Sequence, residues 1–456
     1  MLELIAGAVE DRSARGIAAA VSRLITAGTL PSGTRLPTVR DLARELGVSP
    51  TTVSEAWQSL TRAGAIQTRG RSGTFVAGAA LPRQRLRYAQ LGGPALSRDL
   101  STGVPDHDLL PDLSPALNRV GDGRLTTSYL DAPVLPRLEE ELRARWPFPP
   151  ERLTVVDGAL DALDRITAAV VRFGDRVLVE DPAFPPVLDL LETVGATVAG
   201  VPLDESGMDP AQLRRALTEH RPVAVYLQPR AHNPTGVSMT AERAAQLGKV
   251  LTAFPDVTVI EDDHAGDIAS AEPVSVGQFL PGRTVHVSSF SKSHGPDLRL
   301  AAIGGPERLV AAVADRRLLG PGWSSRLLQA VLLDLLTSPS SIGRIGVART
   351  EYARRRSCLS AALAAHGLAV RADDGINMWL PVEDQQFAMV TLAAYGIAVA
   401  PGAPFLVSAG SPDHIRVTVG LVRDGFDELA RILAAAAGSV QRGSGARTHA
   451  HPRGWR

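Results

Sequence analysis

Only two of the 48 Lys and Arg residues in this chain are lysine, Lys249 and Lys292. A GC-rich coding bias, visible in the abundance of Ala, Arg, Gly and Pro, explains why lysine is scarce but not where it is kept. Lys292 lies in "SFSKSHGPDLRL" (289–300), and Lys249 lies in the helical pattern "AERAAQLGK", where it reads as an ordinary solvated residue. An amine can lose its proton and attack a carbonyl carbon, whereas a guanidinium stays charged. Other chemistry-bearing residues come upstream of Lys292: Asp157-Gly-Ala-Leu160, Phe184 in "DPAFPPV", Asn233 in "PRAHNPTG", and Asp262 and His264 in "EDDHAGD". Ser289 and Arg299 flank the lysine itself.

Singly, these residues read equally well as a surface acid, a satisfied histidine or a turn. Together they form a set. A glycine at a strand-to-helix turn lets backbone N–H groups face an anion. A carboxylate keeps a ring nitrogen protonated, and a hydroxyl and a guanidinium hold a phosphate. An aromatic platform, an amide and a lysine complete a constellation that matches pyridoxal 5'-phosphate.

The elements that must position this set are short Val-rich runs: "RLTVV", "RVLVE", "VAVYL", "VTVIED" and "TVHVSS". Helix-compatible segments separate most of them. That alternation predicts an α/β body with a mostly parallel sheet covered on both faces. Such sheets bind ligands beyond the strand C-terminal ends, where each residue named above falls.

The first eighty residues are organised differently. Ile17, Val21 and Ile25 have helical spacing, and a second helix spans Thr38–Leu46 with Gly47 at its end. Ser49-Pro50 starts a third helix with Val53, Trp57 and Leu60 on its apolar face. This is a helix-turn-helix, and "GAIQTRGRSGTFV" after it reads as a hairpin wing. Residues 12–98 carry thirteen Arg against three acids, whereas residues 99–437 carry a net −11. A basic front joined to an acidic body suggests a polyanionic partner at the N-terminal end. At 456 residues the chain predicts two or three domains. A single cysteine, Cys358, excludes an internal disulfide and suits a reducing cytoplasm, and no apolar run is long enough to span a membrane. The opening "MLELIAGAVEDRSARG" is unlike a signal peptide.

The segment from "SGTRLPTVRDLARELG" to "RGRSGTFV" resembles the winged helix of GntR-type bacterial regulators. Residues 99–437 resemble a fold-type-I, class I/II aminotransferase. Joined, they have the layout of the MocR/GabR regulators, with "PRAHNPTG", "EDDH" and "SKSHGPDLRLA" most like the PtsJ-like branch, which represses vitamin B6 salvage. The resemblance implies a winged helix-turn-helix over 1–77 and a pyridoxal phosphate-binding body over 99–437; residues 78–98, with Pro, Gly and four Arg and no sustained apolar period, read as a basic linker near DNA phosphates, and 438–456 as a disordered basic tail. It implies Lys292 as the amine of an internal aldimine, Asp262 on the pyridinium, Asn233 on the ring hydroxyl and Phe184 stacked on the ring. The backbone N–H groups of Ala159 and Leu160, with Ser289 and Arg299, would hold the phosphate, Ser291 assisting. Tyr129 in "SYLDAPVLPRL" would reach the phosphate across a dimer interface, and Arg416 in "HIRVTVG" would grip a carboxylate. On DNA it implies Arg40, Ser49, Thr51, Thr52, Arg69, Arg71 and Gly73, in a head-to-tail homodimer bound to a double-stranded operator.

Several positions depart from the family pattern. His264 replaces a tyrosine and is expected to change charge near neutral pH. Val134 replaces a glycine, "DGALDAL" lacks a polar pair, and Pro50 and Ser54 stand where some relatives place arginine. The first three bear on catalysis more than on cofactor binding. Two functions therefore stay open: a regulator whose body senses pyridoxal phosphate or an amino compound reacting with it, and a working aminotransferase with a DNA-binding appendage. An inert scaffold that binds no cofactor is a third.

Overall fold

The computed structural model describes residues 1–62, 65–68, 73–76, 87–91, 96–120, 128, 131–371, 373–408 and 410–438. The N-terminal unit contains α1 (Leu2–Ala8), α2 (Ala14–Thr26), α3 (Val39–Leu46), α4 (Pro50–Arg62), β1 (Ile66–Thr68) and β2 (Thr74–Val76). Local chemistry sets its boundaries. The Thr38 hydroxyl accepts the Asp41 N–H at 3.2 Å to start α3, and Gly47 ends that helix at φ 64°. The Ser49 hydroxyl accepts the Thr52 N–H at 3.1 Å to start α4. Ile17, Val21, Leu42, Val53, Trp57 and Leu60 pack into one small core, so the helical faces legible in the sequence are the buried ones. β1 and β2 pair antiparallel, with Ile66 opposite Val76 and Thr68 opposite Thr74.

A short helix, α5 (Arg87–Gln90), and β3 (Arg98–Asp99) follow. The basic linker is thus partly built into the fold: Arg87 ion-pairs with the body and Arg98 opens a strand paired with Ile397. Arg87, one of the linker arginines expected beside DNA phosphates, is held here by the carboxylates of Asp189 and Glu192.

The large subdomain contains α6 (Ser114–Val120), α7 (Pro136–Arg145), β4 (Arg152–Val156), α8 (Ala159–Val170), β5 (Arg176–Asp181), α9 (Pro185–Thr193), β6 (Thr197–Asp204), β7 (Gly207–Met208) and α10 (Pro210–His220). It continues through β8 (Ala224–Leu227), α11 (Ala241–Thr252), β9 (Thr258–Asp263), β10 (Thr284–Ser289), β11 (Ala301–Gly305), α12 (Glu307–Leu318) and α13 (Arg326–Thr337). The sheet order is β4-β11-β10-β9-β8-β5-β6-β7. β10, β9, β8, β5 and β6 run parallel in succession, and β11 is antiparallel to both its neighbours. Alternate residues feed two cores: Val177, Val179 and Tyr226 point to one face, Leu178, Val225 and Leu227 to the other. β11, "AAIGG", was not among the strands read from the sequence. Its small residues make room for a neighbour, since a Cβ at Gly304 would lie 2.6 Å from Trp146.

The small subdomain follows the 27-residue α14 (Pro339–Ala365), with β12 (Met378–Pro381), α15 (Gln385–Ala394), β13 (Ile397–Ala398), β14 (Ala400–Pro401), β15 (His414–Val417) and α16 (Phe426–Ala436). Leu100, Leu359, Met378, Ile415 and Leu433 form its core. No described helix is long and apolar enough to cross a membrane.

Candidate functional site

The C-terminal ends of the parallel strands β8, β9, β10 and β5, together with β4, converge on one region, because parallel strands end on the same edge of a sheet. Asp262 sits opposite Val287 in the β9–β10 register, which brings it next to the turn that carries Lys292. The Lys292 Nζ is 2.6 Å from His264 Nδ1. His264 Nε2 lies 3.0 Å from the Ala231 carbonyl, which can only accept, so Nε2 carries the proton and Nδ1 accepts from the lysine. Burial and the adjacent Lys292 hold His264 well below its usual titration range. This corrects the expectation that its charge changes near neutral pH: a histidine with a fixed tautomer and no access to water stays neutral. Burial also pushes the Lys292 amine down to about 8, with Asp262 pulling the other way.

Asp262 is buried and its two oxygens differ. Oδ2 accepts the Gln228 Nε2 donor at 2.8 Å, whereas Oδ1 has no partner among the described residues. Burial pushes this carboxyl up to about 6, while the Gln228 hydrogen bond and Lys292 restrain it. An inaccessible carboxylate oxygen with no donor is costly to leave unpaired. Phe184 lines the same small cavity as Asp262 and Gln228. Gln228 organises this corner, because its Oε1 also accepts the Asn233 N–H at 2.8 Å and its own N–H donates to Glu180 at 2.8 Å. Glu180 is pushed up to about 8 by burial, and His232 beside it is pushed down to about 3 by burial. Burial thus disfavours the charged form of both groups.

The anion-facing part lies where β4 turns into α8. Gly158 has φ 103°, and a Cβ there would come within 2.8 Å of the Arg299 guanidinium, which donates to the Asp157 carbonyl at 3.2 Å. Glycine is needed both for the backbone conformation and for the close approach of Arg299. The N–H groups of Ala159 and Leu160 open α8 here, and no side chain caps that end. Two acids flank this turn, but Arg317 meets Asp157 at 3.1 Å and Asp161 at 2.8 Å, and Arg165 meets Asp161 at 2.9 Å. The guanidiniums of Arg299, Arg317 and Arg165 thus surround the turn and offset its carboxylates. Ser289 is buried at the end of β10, and its hydroxyl accepts the Ser291 N–H at 3.4 Å.

Arg416 is buried on β15 and reaches back across the subdomain boundary. Its Nη1 donates to Asn233 Oδ1 at 3.2 Å, Nη2 donates to the Ser101 carbonyl, and its guanidinium lies 5.3 Å from the Phe405 ring centre. Gly103 at φ 66° gives it room, since a Cβ there would lie 3.3 Å from the guanidinium. Val134, standing where a glycine was expected, is a core residue packed with Leu138 and Phe290.

The residues present fit a phosphorylated pyridine aldehyde: an unpartnered buried acceptor for a ring N–H, an amine with a lowered pKa, an aromatic wall and a positive helix end. Among the described residues no cluster of His, Cys, Asp and Glu is suited to a metal ion. At the other end of the chain Arg40, Ser49 and Thr51 are exposed and Thr52 is half-buried. The Ser49 hydroxyl is engaged as a helix cap, which leaves Arg40 and Thr51 as the more available contacts. Gly73, at φ 106°, sits against Arg35, whose Nε would be 3.0 Å from a Cβ there. Tyr129, Arg69, Arg71 and most of the 438–456 tail lie outside the described residues. Gln228 and Glu180 were not picked out from the sequence. Their one signal was position, immediately after "VAVYL" and within "RVLVE" at the ends of two site-bearing strands.

Residues 13–76 match the family of bacterial regulatory proteins, gntR family, and residues 98–433 match aminotransferase class I and II. The chain is 39% identical over 427 residues to the vitamin B6 salvage pathway transcriptional repressor PtsJ of Salmonella typhimurium, covering 91% of this chain and 96% of that one. It is 27% identical to the probable rhizopine catabolism regulatory protein MocR of Rhizobium meliloti, covering 81% and 79%. In fold, the body is similar to the kynurenine aminotransferase of Pyrococcus horikoshii, with a TM-score of 0.71 at 21% identity, over 79% of this chain and 95% of that one. A winged helix joined to an aminotransferase body over nearly the whole length of such a relative has one reading: this chain belongs to the MocR-type, GntR-family transcriptional regulators with a class I/II aminotransferase domain.

Proposed function

We propose that this regulator binds pyridoxal 5'-phosphate in its body and uses the cofactor, or an amino compound reacting with it, to set its affinity for DNA. The observation that carries this reading is Asp262 Oδ1, a buried acceptor without a partner among the described residues, in a chain whose Lys292 amine is pushed down toward neutrality. When bound, the cofactor supplies an electrophilic aldehyde and a pyridinium. Lys292 offers the amine, and His264 Nδ1 accepts a hydrogen bond from it. Asp262, steadied by Gln228, would receive the ring N–H, and Asn233 would face the ring hydroxyl. Phe184 would cover the ring, and Ala159, Leu160, Ser289, Ser291 and Arg299 would hold the phosphate. Arg416 suits a carboxylate on an amino-compound effector. Tyr129 from a second copy would complete the phosphate site in a head-to-tail homodimer.

The winged helix, proposed over 1–77, would read a double-stranded operator through Arg40, Ser49, Thr51, Thr52, Arg69, Arg71 and Gly73. The body is proposed over 99–437, with 78–98 joining the two and 438–456 a tail. A DNA-bound regulator works in the cytoplasm. The name of the Salmonella relative makes vitamin B6 metabolism the first pathway to test. Borohydride treatment of the cofactor-loaded protein, followed by peptide mass spectrometry, decides the central point. An adduct on the Lys292 peptide is expected, and an unmodified peptide would remove the sensor reading.

A further inference from the structure

The candidate site is divided between two bodies. Phe184, Asn233, Asp262 and Lys292 belong to the large subdomain, whereas Arg416 and the Phe405 ring beneath it belong to the small one. The linker that leads to the winged helix is fastened to both. Arg87 Nη1 donates to Asp189 at 3.0 Å and to Glu192 at 2.7 Å, both on α9, the helix that begins immediately after Phe184. Four residues later Leu91, only 5% exposed, packs with Phe405, Ala400 and Trp379 of the small subdomain. Beyond it the chain is stitched into that subdomain: the Arg98 N–H donates to the Gly396 carbonyl at 3.0 Å and the Leu100 N–H to the Ala398 carbonyl at 2.8 Å. On the other side, Ser59 of α4 lines a groove with Arg87, Glu192, Leu406 and Val407. The winged helix also rests on the large subdomain through Arg15, 2.6 Å from Asp175, and Phe173, which packs on the winged-helix core.

We propose that Arg87–Leu91 is a clasp that converts the relative position of the two subdomains into the placement of the winged helix; this rests on the regulatory reading above. The physical reason is length. A four-residue helical turn spans about 6 Å, so it has little slack. A ligand that engages Phe184 on one side and Arg416 on the other pulls on α9 and on the Phe405 loop, the two anchors of the clasp. The anchors are also tied directly to each other. The Ala183 N–H donates to the Phe405 carbonyl at 2.8 Å, and the Asp181 carboxylate accepts the Val407 and Ser408 N–H groups at 3.1 and 3.0 Å. A shift at the ring wall thus reaches the Leu91 contact through backbone hydrogen bonds as well as through α9.

The test uses the full-length protein and a duplex selected from a random-sequence pool by that protein, with and without pyridoxal 5'-phosphate. DNA affinity is measured by fluorescence anisotropy in both states. For the wild type the two dissociation constants should differ by at least about fivefold, the lower end of ordinary coupling. In Arg87→Gln and in Leu91→Ala the ratio should fall to within about twofold of one while cofactor affinity without DNA stays near wild type; the thermal midpoint should hold in Arg87→Gln and drop in Leu91→Ala, which truncates a buried side chain. Asp189→Asn with Glu192→Gln breaks the same clasp from the body side and should do likewise, guarding against a folding defect in any one variant. If the variants keep the wild-type ratio, the clasp is wrong and the regulatory reading survives. If Arg87→Gln loses DNA binding in both states, Arg87 is a DNA contact and the clasp is also wrong. A wild-type ratio of one overturns the regulatory reading and the clasp together.

Discussion

The winged helix and the body present their chemistry in opposite ways. In the winged helix the described candidate DNA contacts are exposed (Arg40, Ser49 and Thr51) or half-buried (Thr52 and Gly73), and they rest on a core of about fifteen residues. In the body the described candidate cofactor contacts are buried or half-buried, Arg299 apart, and come from positions scattered over more than 250 residues. A polyanion such as DNA offers charge to any exposed guanidinium, so its reader needs surface and little depth. A small ring needs its charges matched in a place water does not reach, where an unmatched group is expensive. The two regions therefore fail differently: surface substitutions should weaken DNA binding by degrees, whereas site substitutions should abolish a bound state.

Lys292→Ala breaks the comparison most severely. It should remove the visible absorbance of lysine-bound pyridoxal phosphate entirely and leave DNA binding by the winged helix measurable; retention of that absorbance would refute the assignment of the amine. Asp262→Asn exchanges a charged acceptor for a neutral one. Cofactor affinity should fall by up to about 100-fold, the size of a lost charge-assisted hydrogen bond, and an unchanged binding isotherm would show that Oδ1 has some other role. The Lys292 amine, at about 8 in the ligand-free protein, reacts only when neutral. Since its neutral fraction grows as pH rises, cofactor attachment should slow roughly tenfold per unit below pH 8 and level off above it. Stopped-flow mixing across pH 6–9 checks this, and a flat profile would mean that the proton is lost elsewhere. His264, held neutral by burial, should add no second step near its ordinary pKa in the same profile.

On the exposed side the effects are smaller. Arg40→Ala should weaken DNA binding by a few-fold to about tenfold and lower the salt slope by about one if the contact is to phosphate; an unaltered slope would point to a base edge or to no contact. The mildest change is Thr38→Ala, which removes the hydroxyl that accepts the Asp41 N–H at 3.2 Å. It should cost about 1 kcal/mol of winged-helix stability in a denaturant melt while leaving cofactor binding untouched.

How much was legible in the sequence differs between the two regions for the same physical reason. Thr38, Gly47 and Ser49 mark helix ends by hydrogen bonds to residues three or four positions away, and Pro50 by its fixed φ, so pattern suffices to place α3 and α4. Lys292, Asp262, Asn233 and Phe184 were legible because each follows a short Val-rich run, and strand ends share an edge in a parallel sheet. Gln228 was not legible, although it joins Asp262 to Asn233, since a glutamine after a strand has no period of its own. The neutrality of His264 is not legible in the sequence, because the ordinary histidine pKa assumes water, and this ring has almost none. In the sequence Arg87 looks like one more basic linker residue, because its partners, Asp189 and Glu192, are more than a hundred positions away.

The sequence alone determined the kinds of groups available, the order of the elements that carry them and the two-part plan of basic reader and acidic body. These follow from short-range periodicity, capping and charge. Only the tertiary structure decided which proton His264 keeps, which oxygen of Asp262 stays open, and that Arg416 rests on a ring that also packs against Leu91 of the linker. Such properties depend on what lies across space, and burial and long-range contact have no local code.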